Sequence, residues 1–455
     1  EGIEMSKIAV IGAGSVAFSM SLIQDFALTK GLSGCTVTFM DINQDRLSMV
    51  YGLASRYIKE LDMDLNLEKT TSREEAIREA DFVINTVKVD GYDFMEAERE
   101  IAEKHGYYRG IDDKVSDYYG GFFAYKQLNF FLDLARDVER ISPNAWFMQV
   151  SNPVFEGTNI IARETGLKVA GFCHGAQGYK DIVKILKLNP EEVAAQVVGL
   201  NHCNWLTRFL YRGNNAYPLI DEWIEKESEN YWKSDEYLHN PWGYHITPAA
   251  VEMYKLYGVF PVGDSVRSVS PWWFNTDLET KEKYFSSGGP DSEVGWTMYL
   301  FGLKMRLRMM EELAKDEKTP ITEKLPPRPS GEVIVPFIDS IINNKKEKLI
   351  LNIPNNGAVE GLPDDVVVEI PVTVGKDTLE REKIGRLPSR LMLHIIIPRW
   401  LRMEIVLQAF RERDKKSILL MLMEDHRTKS LEQVEALIED ILSQPWNGSA
   451  KEHYR

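Results

Sequence analysis

The stretch KIAVIGAGSVA, residues 7–17, decides the fold of the first part of the chain. Its opening five residues, KIAVI, are mostly apolar and rich in β-branched side chains, which is typical of a buried strand. Apolar residues then recur at helical spacing from Val16 to Ala27. The glycine-rich segment between them therefore predicts a tight turn that joins a strand to a helix.

The turn has the pattern G-x-G-x-x-A, which is found in dinucleotide-binding sites. Gly12 permits the sharp change of direction, and Gly14 lets a pyrophosphate approach the backbone at the positive end of the helix. Ala17 is small enough for the helix to pack closely on the sheet. The residues predicted to contact a dinucleotide here are Gly12, Gly14, Ser15 and Val16.

An acidic residue discriminates between the two nicotinamide dinucleotides. The segment TVTFMD (36–41) predicts a second strand that ends in Asp41, placed to accept hydrogen bonds from ribose hydroxyls. An acid there repels a 2′-phosphate and no arginine directly follows it, so we expect NAD rather than NADP. The alternative is a plain glycine turn with Asp41 serving only as a helix cap.

Strands alternate with helices up to about residue 198, which indicates parallel strands joined by helical crossovers. We therefore predict an α/β fold in which residues 1–198 form an NAD-binding domain with a Rossmann-type, doubly wound parallel sheet. The further elements predicted in it are the strands ADFVINTV (80–87), AWFMQVSNP (145–153) and KVAGFC (168–173) and the helix QLNFFLDLARDVERI (127–141).

The composition of the sequence changes after residue 198, where tryptophan and tyrosine become frequent and predicted strands no longer alternate with helices. We predict a second, mixed α+β domain over residues 199–455. Within it, EVIVPFIDSIINN and DVVVEIPVTV predict a helix and strands around an NIPNNG turn, and the polar, proline-rich residues 315–331 predict an exposed loop. Residues 399–444 are predicted to be mostly helical.

Length and charge limit the classes of function. A chain of 455 residues is too long for one ordinary core, and its net charge of −15, without a block of lysines or arginines, gives no reason to expect a nucleic-acid partner. No apolar run approaches the roughly 18 residues of a membrane helix. Three cysteines and no recognisable signal peptide lead us to expect a cytoplasmic protein without disulfides.

Two short motifs carry sulfur and imidazole groups. In GFCHG (171–175), Cys173 ends a predicted strand at the carboxyl edge of the sheet, where such folds bind ligands, and GLNHCNW (199–205) carries His202. A thiolate and an imidazole together suit a transition-type divalent ion and leave positions open for substrate. Cys173 could equally be a buried thiol. Cys203 competes as a ligand, but an extended 201–205 turns it to the opposite face, so we assign it to packing.

Three further polar residues are candidates for the chemistry, each with an ordinary alternative. Asn152, in SNP, begins a polar turn at a strand end, as in malate-type dehydrogenases, where an asparagine contacts cofactor and substrate; it could also be only a turn residue. Asp117 in KVSDYYGG and Asp264 in FPVGDSVR have polar and aromatic neighbours, and either could be a surface acid.

Taken together, these motifs resemble glycoside hydrolase family 4, the NAD- and manganese-dependent glycosidases, and in particular the branch of α-glucosidases, α-glucuronidases and α-galacturonidases. The resemblance covers nearly the whole chain. It rests on the motifs GAGSVAFS (12–19), ADFVINT (80–86), GYYRGID (106–112), SNP (151–153), GFCHG (171–175), GLNHCNW (199–205), GDSVR (263–267) and NIPNNG (352–357). The residues that follow the cysteine differ from those of the phospho-glycosidase branches.

The resemblance implies a role for each candidate. Cys173 and His202 are implied as ligands of Mn²⁺ or another divalent metal, Asp264 as the base at C2 of the sugar and Asp117 as the acid at the leaving oxygen. Some branches use a tyrosine as the base instead. The implied substrate contacts are Asn152 and His174. Arg267 is a further candidate for substrate binding, because a uronate carboxylate needs a basic group. Asn85 and Asn152 complete the predicted cofactor-binding set.

The implied reaction explains why metal and dinucleotide occur in one enzyme. NAD takes a hydride from C3 of the sugar, which acidifies the proton at C2; Asp264 removes that proton while the metal stabilises the enolate, and the glycosidic oxygen leaves with help from Asp117. Water then adds and the hydride returns, so NAD is not consumed.

A malate/lactate-type NAD-dependent 2-hydroxy-acid dehydrogenase is the alternative, because it shares the plan of the first domain and its C-terminal part resembles the predicted second domain. It would need neither Cys173 nor His202. The predicted partner is a small α-linked glucoside or uronide, and a uronide carboxylate requires a basic group such as Arg267. From the family we expect a homodimer or homotetramer.

Overall fold

A single mixed sheet organises the molecule, as seen in a computed structural model that describes residues 5–107, 124–240, 246–286, 288–289 and 292–455. The strands of the described residues are β1 (Lys7–Ile11), β2 (Thr36–Met40), β3 (Asn66–Thr70), β4 (Phe82–Asn85), β5 (Trp146–Gln149), β6 (Lys168–Gly171), β7 (Val193–Leu200), β8 (Cys203–Tyr211), β9 (Asn214–Asn215), β10 (Phe260–Val262), β11 (Glu347–Pro354), β12 (Val367–Gly375) and β13 (Thr378–Arg381).

The first six strands pair in parallel in the order β3-β2-β1-β4-β5-β6, which is the order of a Rossmann sheet. The order reverses at β1, where the chain steps from one half of the sheet to the other. The predicted parallel, doubly wound sheet is therefore confirmed. The sequence reading did not single out β3, whose mostly polar residues lack the apolar run of the other strands.

The later strands extend the same sheet in antiparallel fashion, in the order β6-β11-β12-β7-β8-β10. Two of these strand pairings consist of one residue pair each: Asn352 pairs with Gly171 between β11 and β6, and Glu369 pairs with Gly199 between β12 and β7. The predicted boundary after residue 198 falls inside β7, and the division into domains 1–198 and 199–455 stays a prediction.

Helices cover the sheet on both faces. One group packs around α1, α2 and α16, and the other around α5, α6 and α18. The α-helices of the described residues are α1 (Val16–Leu28), α2 (Gln44–Glu60), α3 (Arg73–Ile77), α4 (Asp93–Lys104), α5 (Ala124–Ile141), α6 (Val154–Glu164), α7 (Tyr179–Ile185), α8 (Tyr217–Lys226), α9 (Ser228–Tyr231), α10 (Asp235–Leu238), α11 (Pro248–Tyr257), α12 (Ser265–Ser268), α13 (Leu278–Phe285), α14 (Glu293–Lys315), α15 (Ile321–Lys324), α16 (Ile334–Asn343), α17 (Ser389–Leu391), α18 (Ile397–Glu412), α19 (Lys415–Met423), α20 (Leu431–Ser443) and α21 (Gly448–His453).

The core lies between the sheet and these helices. The central strands β4 and β5 are buried except for the half-buried Trp146 at the start of β5, and their apolar residues are typical of parallel strands covered on both faces. The predicted helix and strands around NIPNNG are confirmed as α16, β11 and β12, and the mostly helical C-terminal region is confirmed. The predicted loop 315–331 contains the short helix α15. Across the described residues, no helix is both long and apolar enough to span a bilayer.

Candidate active site

Cys173 lies just beyond the carboxyl end of β6. It caps a short 3₁₀ turn over residues 174–178, and its Sγ accepts a hydrogen bond from the backbone N–H of Gly175 at 3.4 Å. Burial raises the pKa of the Cys173 thiol, and the charge and hydrogen bond of neighbouring His202 oppose that shift. The half-buried sulfur therefore has an imidazole beside it.

His202 belongs to the tight turn that joins β7 to β8. Its backbone takes the left-handed conformation, with φ of +56°, and its side chain is 4% exposed. The extended conformation considered for 201–205 does not hold at Asn201 and His202, because the antiparallel pairing of Leu200 with Cys203 closes the chain into a hairpin there. Cys203 starts β8 in the hydrophobic core, so its assignment to packing is confirmed.

Asp264 reaches the same place from β10, which pairs with β8. The backbone after β10 passes so close to the GFCHG segment that a Cβ on Gly263 would collide with the carbonyl group of Gly175. Gly263 also has a positive φ of 57°, so the close approach and the turn both favour glycine. This contact brings Asp264 next to Cys173, although the two are distant in sequence.

The three side chains converge. One ligand atom each of Cys173, His202 and Asp264 lies within 4.8 Å of the others, and we call these residues the Cys–His–Asp cluster. Asp264 Oδ2 lies 3.4 Å from His202 Nε2, and Asp264 Oδ1 lies 2.5 Å from Nη2 of Arg267. Sulfur, imidazole nitrogen and carboxylate oxygen make a donor set that fits a transition-type divalent ion.

The glycine-rich turn has the geometry of a phosphate cradle, and we call residues 12–16 the dinucleotide turn. Gly12 has φ of +90°, and a Cβ on Gly14 would lie within 2.7 Å of the Asp41 carboxylate. Asp41 Oδ2 accepts a hydrogen bond from the Gly14 N–H at 2.7 Å. The long helix α1 begins at Val16, so its positive end faces this edge of the sheet.

The two predicted asparagines, Asn85 and Asn152, differ in whether their side-chain polar atoms have hydrogen-bond partners. Asn85 is wholly buried; its Nδ2 donates to Gln149 Oε1 at 2.9 Å and its Oδ1 accepts from the Val87 N–H at 3.2 Å, so it joins β4 to β5 below the sheet edge. Asn152 has a buried Oδ1 without a hydrogen-bond partner in the described parts of the chain. An orphaned acceptor at a sheet edge fits a residue that binds a ligand.

His174, although it follows Cys173 directly, is not part of the Cys–His–Asp cluster. Its side chain is 61% exposed and its Nδ1 lies 3.6 Å from Glu332 Oε1. Asp117 lies outside the described residues. Sugar contact by His174 and proton donation by Asp117 stay predictions.

A buried carboxylate that was not predicted from the sequence lies next to the cluster. Glu369 is 0% exposed, and its Oε2 accepts hydrogen bonds from Asn201 Nδ2 at 3.2 Å and Asn204 Nδ2 at 2.8 Å. Burial raises the pKa of Glu369, while Asn204 and His202 oppose the shift. The sequence does contain one indication of this role: Glu369 is the single acid inside the apolar run VVVEIPVTV. An acid in a strand that is otherwise apolar is seldom buried without a specific partner.

Comparisons with known proteins identify the family of the chain. A family model described as "Family 4 glycosyl hydrolase" matches residues 7–188, and one described as "Family 4 glycosyl hydrolase C-terminal domain" matches residues 197–428. An α-galacturonidase of Thermoanaerobacter italicus is 24% identical over 443 residues, which cover 94% of this chain and 93% of the relative.

Two solved structures share the fold along almost the whole chain. A 6-phospho-alpha-glucosidase from gut microorganisms in complex with NAD and glucose-6-phosphate superimposes with a TM-score of 0.78 at 18% identity, covering 99% of both chains. A second 6-phospho-alpha-glucosidase from gut microorganisms, in complex with NAD and Mn²⁺, gives a TM-score of 0.75 at 15% identity and the same coverage. With both family models matched, this chain belongs to glycoside hydrolase family 4.

Proposed function

We propose that the protein is an α-glycosidase that binds NAD and a divalent metal and cleaves its substrate by oxidation at C3, deprotonation at C2 and elimination. The observation that carries this proposal is the convergence of Cys173, His202 and Asp264 at the edge of a sheet that also carries the dinucleotide turn. Plain hydride transfer to a hydroxy acid has no use for the thiol, so the dehydrogenase alternative is not favoured.

Cys173 and His202 are proposed to hold the metal, which we take to be Mn²⁺. Two protein ligands leave several coordination positions open, as a catalytic site requires. The Mn²⁺ in the solved 6-phospho-alpha-glucosidase supports this choice. Residues 12–16 and Asp41 are proposed to hold NAD, and Asn152 is proposed to meet both NAD and sugar through its unpartnered Oδ1.

When bound, the dinucleotide supplies the oxidation of C3 and its reversal, and the metal supplies Lewis-acid stabilisation of charge on the sugar oxygens. Asp264 is proposed to take the proton from C2, for which its position beside the metal ligands is suitable. Arg267 donates a charge-assisted hydrogen bond that orients the Asp264 carboxylate. Asp117 is proposed to protonate the leaving oxygen, on the resemblance alone.

We propose a uronide as the preferred substrate, with a neutral α-glucoside as the competing one. The α-galacturonidase relative supports a sugar acid, and Arg267 puts a guanidinium beside the proposed base, where a carboxylate could share it. His174 is proposed to contact a sugar hydroxyl. A free thiol at the metal site requires reducing conditions, which supports a cytoplasmic enzyme, and we expect a homodimer or homotetramer.

Parallel assays on nitrophenyl α-galacturonide, α-glucuronide and α-glucoside, with NAD, Mn²⁺ and a thiol reductant, test the proposal. We expect release of nitrophenol from a uronide only when NAD and Mn²⁺ are both present, without net formation of NADH. Hydrolysis that persists after NAD and metal are removed would refute the mechanism. Net NADH formation from a 2-hydroxy acid without metal would favour the dehydrogenase instead.

A further inference from the structure

A row of cross-strand neighbours runs through the junction between the parallel and antiparallel parts of the sheet. Gly171 pairs with Asn352, Asn352 pairs with Glu369, and Glu369 pairs with Gly199. Cys173 follows one end of this row and His202 follows the other end. The proposed metal ligands therefore emerge from the two strands that this row connects.

Glu369 is hydrogen-bonded to the residues that flank the His202 turn. Its carboxylate accepts hydrogen bonds from Asn201 and Asn204, the residues on either side of His202 and Cys203. The backbone N–H of Asn204 also donates to Ser265 Oγ at 2.6 Å, next to Asp264. A left-handed residue such as His202 persists only where its surroundings fix it, and these contacts fix it from both sides.

The charge of Glu369 has no lysine or arginine partner among the described residues. A carboxylate that is 0% exposed and held only by amides is costly, because a buried charge needs an opposite charge. His202 interacts electrostatically with the Glu369 carboxylate, and in the loaded enzyme the proposed metal that His202 holds supplies the opposite charge. Outer carboxylates commonly orient metal ligands and strengthen metal sites, and Glu369 reaches His202 through the side chains of Asn201 and Asn204.

We propose that Glu369 is a positioning residue that fixes the His202 turn and supplies the negative charge that tightens metal binding at Cys173 and His202. The inference rests on the proposed metal site. It assigns to Glu369 no contact with substrate.

Mn²⁺ titration of the full-length chain, followed by the electron paramagnetic resonance signal of free Mn²⁺, tests the role. We expect Glu369→Gln, which keeps the size but removes the charge, to raise the Mn²⁺ dissociation constant roughly 10- to 100-fold. The thermal midpoint of the metal-free chain should not fall, because a costly buried charge is removed. Glu382→Gln is the control: Glu382 Oε1 likewise accepts from a side-chain amide, Gln196 Nε2, at 2.5 Å, but this carboxylate lies away from the His202 turn and pairs with Lys348 and Arg208.

A double variant separates charge from packing. Adding Asn204→Asp to Glu369→Gln returns one carboxylate to the same hydrogen bond, and we expect it to recover part of the Mn²⁺ affinity. A Glu369→Gln chain that binds Mn²⁺ as tightly as the wild type, or one that only loses thermal stability, would overturn the inference. If Glu369→Gln does not fold, Asn201→Ala replaces it, and unchanged Mn²⁺ affinity there overturns the inference equally. A wild-type chain that binds no Mn²⁺ overturns the proposed function itself.

Discussion

The dinucleotide turn and the Cys–His–Asp cluster lie at one edge of one sheet, but the chain builds them in different ways. The turn and Asp41 belong to a single β1–α1–β2 unit. The cluster draws its residues from the connections after β6, between β7 and β8, and after β10. It forms only because the antiparallel strands are joined to the parallel ones through pairs such as Asn352 with Gly171.

This difference implies different sensitivities. A turn within one βαβ unit is fixed by local backbone geometry. A substitution there should therefore weaken NAD binding and leave metal binding intact. A cluster assembled from three connections depends on side chains that converge, so removing one donor should affect the metal and the reaction together. Substitutions in the two regions should therefore affect different ligands.

Cys173→Ser should abolish the reaction. We expect activity to fall about 10⁴-fold and Mn²⁺ binding to be lost in parallel, because Lewis-acid stabilisation worth several kcal/mol disappears with the ligand. Turnover and Mn²⁺ titration check this, and NAD affinity should be unchanged.

The buried Cys203 near the site provides the control. Cys203→Ser buries a hydroxyl in the core and should cost about 1–3 kcal/mol of unfolding free energy, while Mn²⁺ affinity is retained. Cys173→Ser with full metal-dependent activity, or Cys203→Ser with loss of the metal, would reverse the assignment of the two thiols.

Asp264→Asn should lower kcat about 10³-fold, since loss of a general base typically costs 10²- to 10⁴-fold. Steady-state kinetics on the best nitrophenyl glycoside measure it. Asp277→Asn is a suitable control, because Asp277 caps α13 through a 2.8 Å bond to the Thr280 N–H and asparagine caps helices equally well. Near-normal kcat for Asp264→Asn would transfer the role of base to another residue.

Gly14→Ala should raise the NAD dissociation constant about 30-fold, because the added methyl group meets the Asp41 carboxylate and blocks approach of the pyrophosphate. Binding measured by fluorescence titration checks this, and Mn²⁺ affinity should stay within about twofold. Gly52→Ala is the control: Gly52 lies in α2 with open space around it, so alanine should stabilise the fold by about 0.5–1 kcal/mol without changing NAD affinity. If Gly14→Ala lowered the affinities for NAD and Mn²⁺ equally, the two regions would not bind their ligands independently.

Asp41→Ala should have the smallest effect and act on selectivity. Removing the acid deletes hydrogen bonds to the ribose and relieves repulsion of a 2′-phosphate, so we expect the preference for NAD over NADP to fall about 10-fold. Side-by-side binding of the two dinucleotides measures the ratio. An unchanged ratio would mean that Asp41 acts only as a bridge to the backbone of Gly14.

The same contrast explains how far the sequence predicts this molecule. The strand, turn and helix around residues 7–17 follow from neighbouring residues, and Cys173 and His202 could be chosen as candidates from their chemistry. The nearness of Asp264 could not be predicted locally, because it depends on the pairing of β10 with β8 and the backbone contact of Gly263 with Gly175. Glu369 acquires its meaning only from the turn that it holds.

The fate of the C2 hydrogen tests the central claim most directly. Hydrolysis of the best nitrophenyl glycoside in D₂O, with NAD and Mn²⁺, should give a sugar that carries deuterium at C2, read by proton NMR, because the account requires that proton to leave during every turnover. A substrate with deuterium at C2 should also react more slowly. A product that keeps its original C2 hydrogen would contradict the account, whatever the metal and NAD dependence of the rate.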